Sequence, residues 1–396
     1  MYGPDFADDL AEFYRRTRSE RGSVVPVLLV GDVPAWLVMS YRELLFVCRN
    51  PQVFSRSSYH WNLWSQITED WPLITPLIPM PSVLHAEGAE HGRRAGALSD
   101  VLEEVDQVDL ARLCERTADQ LIDSFAGAGE ADLIAQYTQQ MTPMVLARLI
   151  GFPEERIPDF NRDLILGSTS TPDAPMAGLR VLETLGSFVA EQRKEPGPGL
   201  VGKLMRHPAE LTDEEITLDM TVFFGAGQQP TVNWIGSTLR LMLIDDEFSL
   251  SLQGGRTSLD QALNEVLWQD PPVHNLFGRW ALEDVDLGGC RIGKGDFICA
   301  SLAAANTDAR FRADAGPETG VNRAHVAFGH GEHSCPVGAP EVAEVIAKTA
   351  VEVLLDRLPD THLSVPAGDL RWNESAWLRS LESLPVSFTP VLPQVR

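Results

Sequence analysis

Cysteine is scarce in this chain and never paired. Cys48, Cys114, Cys290, Cys299 and Cys335 are odd in number and dispersed, and no two stand at Cys-x-x-Cys spacing. A disulfide framework and structural zinc are set aside on that count, and a reducing compartment is the expected home. Positive charge is short as well. Against 56 Asp and Glu there are 32 Lys and Arg, a formal net charge of −24, which repels phosphate backbones and anionic lipid and argues against nucleic-acid and membrane-surface roles. Long apolar runs are missing: Val24–Met39 is interrupted by Gly31-Asp32 and by Pro26 and Pro34, so no membrane span is expected. Met1-Tyr2-Gly3-Pro4-Asp5 places no basic segment before an apolar run, so no signal peptide is expected. Repeats and low-complexity tracts are also lacking. The expectation is a cytoplasmic globular protein with one domain over residues 1–396.

What is there reads as mainly α with a minor β region. Val24–Val30 and Val33–Met39 flank Gly31-Asp32, a hairpin signal. Residues 58–90 are irregular and carry Trp61, Trp64 and Trp71. Asp106–Phe125, Asp132–Ile150, Ala177–Arg193 and Asp213–Leu243 have apolar residues at helical spacing, as do Ser258–Asp270 and Val342–Leu358. Val285–Ile292 and Phe297–Leu302 read as strands. The β-rich parts thus fall near 23–60, near 280–302 and in the C-terminal tail.

The most informative stretch is Phe328-Gly329-His330-Gly331-Glu332-His333-Ser334-Cys335-Pro336-Val337-Gly338. A cysteine closes a glycine-rich loop just before a helix expected to begin near Pro336, since proline is favoured in a first helical turn. A helix N-terminus lowers a thiol pKa and supports a thiolate. Glycines at 329 and 331 let the backbone approach a flat ligand, and His333 adds a donor two residues from the sulfur. A buried inert cysteine would need none of this.

The run from Phe328 through Cys335 resembles the heme-binding signature of the cytochrome P450 superfamily at every fixed position, although that signature's closing glycine is replaced by Val337 and Gly338 comes one residue late. Asp270-Pro271-Pro272, Arg279, Leu287-Gly288-Gly289 and Ser301-Leu302-Ala303-Ala304-Ala305-Asn306 resemble the stretch after the family's K helix. Asn322-Arg323 resembles the approach to the heme loop, and Ala226-Gly227 the centre of the long I helix. The resemblance implies heme b between the I helix and the Cys-loop helix, with Cys335 as axial thiolate to iron and Phe328 and Gly331 in the heme loop. It places His333 and Arg279 at the heme propionates, and His91, a further cofactor-binding candidate, at the histidine that starts the family's C-helix signature. The arginine expected four residues after His91 is Ala95 here, which leaves Arg94, one residue short, as the candidate.

Two motifs depart from the family pattern. The K helix reads Glu265-Val266-Leu267-Trp268, with Trp where the family carries Arg, as in a subgroup of soluble bacterial P450s. Glu265 then needs another cation, with Arg310, Arg312 and Arg323 as candidates. On the I helix, Gln229 and Pro230 replace the acid and alcohol that relay protons. Thr231 follows, and Pro230 is expected to kink the helix after Ala226. The leading function implied is a monooxygenase that takes electrons from a ferredoxin and its reductase and acts on an apolar small molecule. Trp61, Trp64 and the loop Leu73–Met80 are candidates for its pocket. Peroxide-dependent chemistry, and a sensing or partner-binding heme protein with little turnover, are the alternatives.

Overall fold

The computed structural model describes residues 1, 10–68, 71–74, 77–169, 171–245, 258–308, 310 and 322–392. In chain order, helix α1 (Leu10–Arg21) leads into strands β1 (Val24–Leu29) and β2 (Val33–Val38). Then come α2 (Tyr41–Arg49), β3 (Phe54–Ser55), α3 (Gly88–Glu103), α4 (Gln107–Phe125) and β4 (Glu130–Asp132). A π-turn at Ile134–Thr138 opens α5 (Gln139–Ile150), followed by α6 (Ile157–Gly167), α7 (Ala174–Lys194), α8 (Leu200–Arg206) and the long α9 (Asp213–Ile244). After α10 (Leu259–Gln269) lie β5 (Asn275–Ala281), β6 (Val285–Leu287), β7 (Cys290–Ile292), β8 (Phe297–Ser301) and α11 (Leu302–Asn306). The last elements are α12 (Ala339–Arg357), β9 (His362–Leu363) and β10 (Pro385–Ser387).

These elements gather into two compact units, each built from three separated segments. Unit 1 is Met1–His91, Asn264–Cys335 and Trp372–Arg379; unit 2 is Gly92–Leu263, Pro336–Arg371 and Ser380–Arg396. Because the segments interleave along the chain, no shift in composition marks a boundary.

Unit 1 holds a five-stranded sheet in the order β1-β2-β8-β5-β3, in which only β2 and β8 run parallel. The expected hairpin is there: Leu29 pairs with Val33, and Gly31 and Asp32 turn at φ of 75° and 58°. Val285–Ile292 is a two-stranded hairpin rather than one strand, because Gly288 and Gly289 both take positive φ and reverse the chain. Trp61 is a core residue of this unit. It is buried against Trp71, Trp280 and Phe297, with Trp64 partly covered beside it, so burial of aromatic area accounts for its presence. In the loop Leu73–Met80, Thr75 and Pro76 lie outside the described residues.

Unit 2 is a helical body in which α4 packs on α12, and α9 on α5, α7 and α12. Arg357 on α12 binds Asp119 and Asp123 on α4, at 2.7 Å to Asp119 and 2.5 Å to Asp123. A capping box starts α9, with Thr212 accepting from the Glu215 N–H while the Glu215 side chain accepts from the Thr212 N–H. The helix then runs unbroken for 32 residues through Pro230. The kink expected there does not interrupt it, and the proline's effect is the loss of the backbone donor to the Ala226 carbonyl. No described helix is long and apolar enough to cross a membrane.

Candidate functional site

In unit 1 the glycine loop is built as its sequence suggests. The Cys335 N–H donates to the Phe328 carbonyl at 2.9 Å, and Gly329 and Gly331 take φ of 76° and 77°. A Cβ at Gly331 would stand 2.2 Å from the Cys48 carbonyl oxygen, so only glycine fits between the loop and the end of α2. The following helix begins later than expected. Gly338 caps α12 with φ 85°, and Pro340, not Pro336, occupies the first turn. Three residues therefore separate Cys335 from the start of α12 along the chain. Cys335 is an exposed residue, and desolvation by the atoms around its thiol pushes it up to about 11 rather than down.

Beside the loop, unit 1 collects buried positive charge. Arg279, on β5, is 1% exposed; its Nε and Nη1 have no hydrogen-bond partner among the described residues, and it bonds to the Cys48 thiol. His333 has an unpartnered buried Nε2, and its ring centroid lies 4.0 Å from that of His91. His91 Nδ1 stands 3.4 Å from Glu332. Arg56, which the sequence reading missed, is buried with Nη1 donating to the carbonyls of Phe277 at 2.6 Å and Gly278 at 2.9 Å. Burial and then Arg279 push Arg56 down to about 9, and burial, Arg279, Arg56, His91 and His85 push His333 down to about 2. Nothing in the short run Ser55-Arg56-Ser57 signals this role; the sheet brings Arg56 to the carbonyls of β5.

His91, Glu332 and His333 offer donor atoms within 4.8 Å of one another, a spacing a metal ion could use. The surrounding excess of positive charge argues for an anionic ligand instead. Two carboxylates would satisfy the unpartnered nitrogens of Arg279 and His333 through charge-assisted hydrogen bonds.

In unit 2 the candidates on α9 occupy its middle. Ala226 is exposed and Thr231 is 5% exposed. A Cβ at Gly227 would meet Leu146 of α5 at an ordinary 3.6 Å. Gln229 Nε2 donates to Asn233 Oδ1 at 2.9 Å. Arg94 is engaged elsewhere than the motif suggests: its Nη2 and Nε donate to Asp219 on α9 at 2.6 and 3.0 Å, with both side chains 1% exposed or less. Arg93 pairs with Glu215 one turn earlier on α9.

No protein-family model matches the chain. Cytochrome P450 107B1 of Saccharopolyspora erythraea does, at 30% identity over 391 residues that cover 96% of this chain and 95% of that protein. The chain belongs to the cytochrome P450 family. Cytochrome P450 monooxygenase PikC of Streptomyces venezuelae is likewise 30% identical over 399 residues, 97% of this chain and 92% of that one. The solved structure of CYP154C4 from Streptomyces sp. W2061 is similar at a TM-score of 0.82 and 25% identity, covering 98% of this chain and 97% of that one. This cytochrome P450 is a heme-thiolate monooxygenase whose cofactor is heme b. The residues fit that group: a cysteine closing the glycine loop, the buried guanidinium of Arg279 and the buried ring of His333, both with nitrogens that carboxylates would satisfy. Heme b on a cysteine thiolate supplies the dioxygen chemistry, the sulfur pushing electron density toward O–O cleavage.

Trp268, on α10 of this P450, has a partner. Trp268 Nε1 donates to the Asn322 carbonyl at 2.8 Å, on the approach to the glycine loop, and Asn264 Nδ2 donates to the same oxygen at 3.1 Å. Two neutral donors from α10 thus hold the backbone ahead of the loop. Glu265 accepts from Gln269. Among the cations suggested for it, Arg310 pairs with Asp308 at 2.8 Å, and Arg312 lies outside the described residues.

Proposed function

We propose that this P450 inserts one oxygen atom of dioxygen into an apolar small molecule of secondary metabolism in the cytoplasm, the other oxygen leaving as water with two electrons and two protons. NADPH, a ferredoxin reductase and a ferredoxin supply the electrons. The observation that carries the reading is the Cys335 loop set beside unpartnered buried nitrogens of Arg279 and His333. Cys335 is the iron ligand. Arg279, His333 and His91 take the propionates, and Phe328 and Gly331 shape the loop. Ala226, Gly227, Gln229, Pro230 and Thr231 form the oxygen side. Arg94 is assigned to its buried pair with Asp219 rather than to a propionate. The substrate class is supported by a relative such as mycinamicin IV hydroxylase/epoxidase of Micromonospora griseorubida, 30% identical over 364 residues.

The test is to titrate the heme-loaded protein with a panel of macrolactones, aromatic polyketides and fatty acids while following the Soret band, then to supply binders with NADPH, ferredoxin and reductase. Oxygenated product from at least one binder is expected. Turnover with hydrogen peroxide but none with the electron chain would overturn the dioxygen reading.

A further inference from the structure

The middle of α9 carries polar side chains on one face beyond the positions the family motif covers. Gln229, Asn233 and Ser237 stand at i, i+4 and i+8, and Arg240 follows at i+11, so they form a single file with neighbours about 5–6 Å apart at Cβ. Asn233 is 4% and Ser237 5% exposed. Asn233 accepts from Gln229, yet its Nδ2 has no partner among the described residues, and neither has Ser237 Oγ. Turning both amides over exchanges the roles of nitrogen and oxygen and still leaves one polar atom of Asn233 over. At the near end, Pro230 strips the Ala226 carbonyl of its helical donor, and Ala226 is exposed. At the far end Arg240 is only half-buried. An apolar face would pack more cheaply here, since each unpartnered buried polar group costs about 1–3 kcal/mol. Buried polar atoms in this state are held by ordered water.

We propose that Ala226, Gln229, Asn233 and Ser237 hold a file of ordered waters along α9 that carries protons from the Arg240 end to the oxygen side, replacing the acid–alcohol pair this chain lacks. A proton entering from solvent at the far end displaces one from each water to the next, and one leaves at the Ala226 end. No side chain of the file changes its charge, as Asn, Gln and Ser do not titrate. The two protons each dioxygen requires thus arrive without a carboxylate. Asn233 and Ser237 are positioning residues that act through the waters.

The inference rests on the oxygenase reading, and the experiment separates the two. Asn233→Leu and Ser237→Val are made in the heme-loaded protein, with Ser237→Thr as the variant that keeps the hydroxyl. Without substrate, NADPH and a plant-type ferredoxin with its reductase drive reduction of dioxygen to hydrogen peroxide, which consumes two protons and two electrons. Both variants should slow peroxide formation roughly ten-fold and raise its solvent deuterium isotope effect, with heme content and the reduced carbon-monoxide spectrum unchanged. Ser237→Thr should recover most of the loss. Crystals of the native protein should show water bonded to Asn233 and Ser237, displaced in Asn233→Leu. Variants that match an active native protein, or a native crystal without those waters, overturn the relay alone. A native protein that consumes no dioxygen overturns the oxygenase reading and the relay with it.

Discussion

Five cysteines are present, and their surroundings separate them. Cys114 and Cys299 are buried, with thiols pushed up by desolvation, and Cys48 is buried with its thiol against Arg279. Of the five, only Cys335 is exposed, at the end of a glycine loop. Cys335→Ser should therefore abolish the thiolate-specific Soret shift of the reduced carbon-monoxide adduct, while Cys114→Ala keeps it; the pair of spectra decides the ligand. Trp268 is a second residue whose meaning lies in a single bond. Replacing it with Phe keeps the ring and removes the donor to the Asn322 carbonyl, which leaves Asn264 alone on that oxygen. A loss of about 1 kcal/mol in urea unfolding of the holoprotein is expected. An unchanged midpoint would show that Trp268 contributes by packing alone.

At the scale of elements, α3 and α9 are joined by two arginine–carboxylate pairs that differ in burial. Arg94 and Asp219 are withdrawn from solvent, and removing one partner strands a charge. Asp219→Asn alone should cost about 3–5 kcal/mol, whereas Arg94→Met with Asp219→Leu should cost far less, both measured by denaturant unfolding. Heme content should survive the double change; its loss would mean that Arg94 serves the cofactor. The outer pair makes a pH prediction. Burial alone would lift the Glu215 carboxyl, but the Arg93 hydrogen bond, the Thr212 N–H and the nearby charges of Arg93 and Arg94 hold it below its ordinary 4.5. A carboxyl lowered on folding contributes stability that is fully present above its unfolded pKa and is lost as pH falls through the folded value. The melting temperature difference between native protein and Glu215→Gln should thus stay constant from about pH 8 to about pH 5.5 and shrink below about pH 4.5.

For the whole molecule the governing number is the net charge of −24. An acidic electron donor approaches against that field. Raising ionic strength from about 10 mM to about 150 mM shortens the screening length from about 30 Å to about 8 Å, so reduction by an acidic ferredoxin should speed up with salt in stopped-flow traces. A rate that falls instead would show that a local basic patch steers docking against the global charge.

By itself the sequence determined the family, the glycine loop that Cys335 closes and most of the long helices. Each depends on neighbours close in the chain: the run Phe328–Cys335 spans eight residues, and the apolar period of α4, α9 or α12 repeats within a few turns. Short elements such as α2, α8 and β5 escaped because a few residues carry too little period to separate them from loop. The start of α12 was misplaced because Pro336 suits a first helical turn locally, while Gly338 stands against the backbone of Leu102 and Glu103, where only a glycine fits. Tertiary structure alone decided that Arg94 meets Asp219, that Trp268 meets the Asn322 carbonyl, and that Arg56 lies beneath β5. Those partners stand 125, 54 and more than 200 residues apart. Which of two adjacent arginines turns toward a carboxylate is settled by the packing of whole helices, which no local pattern of residues encodes.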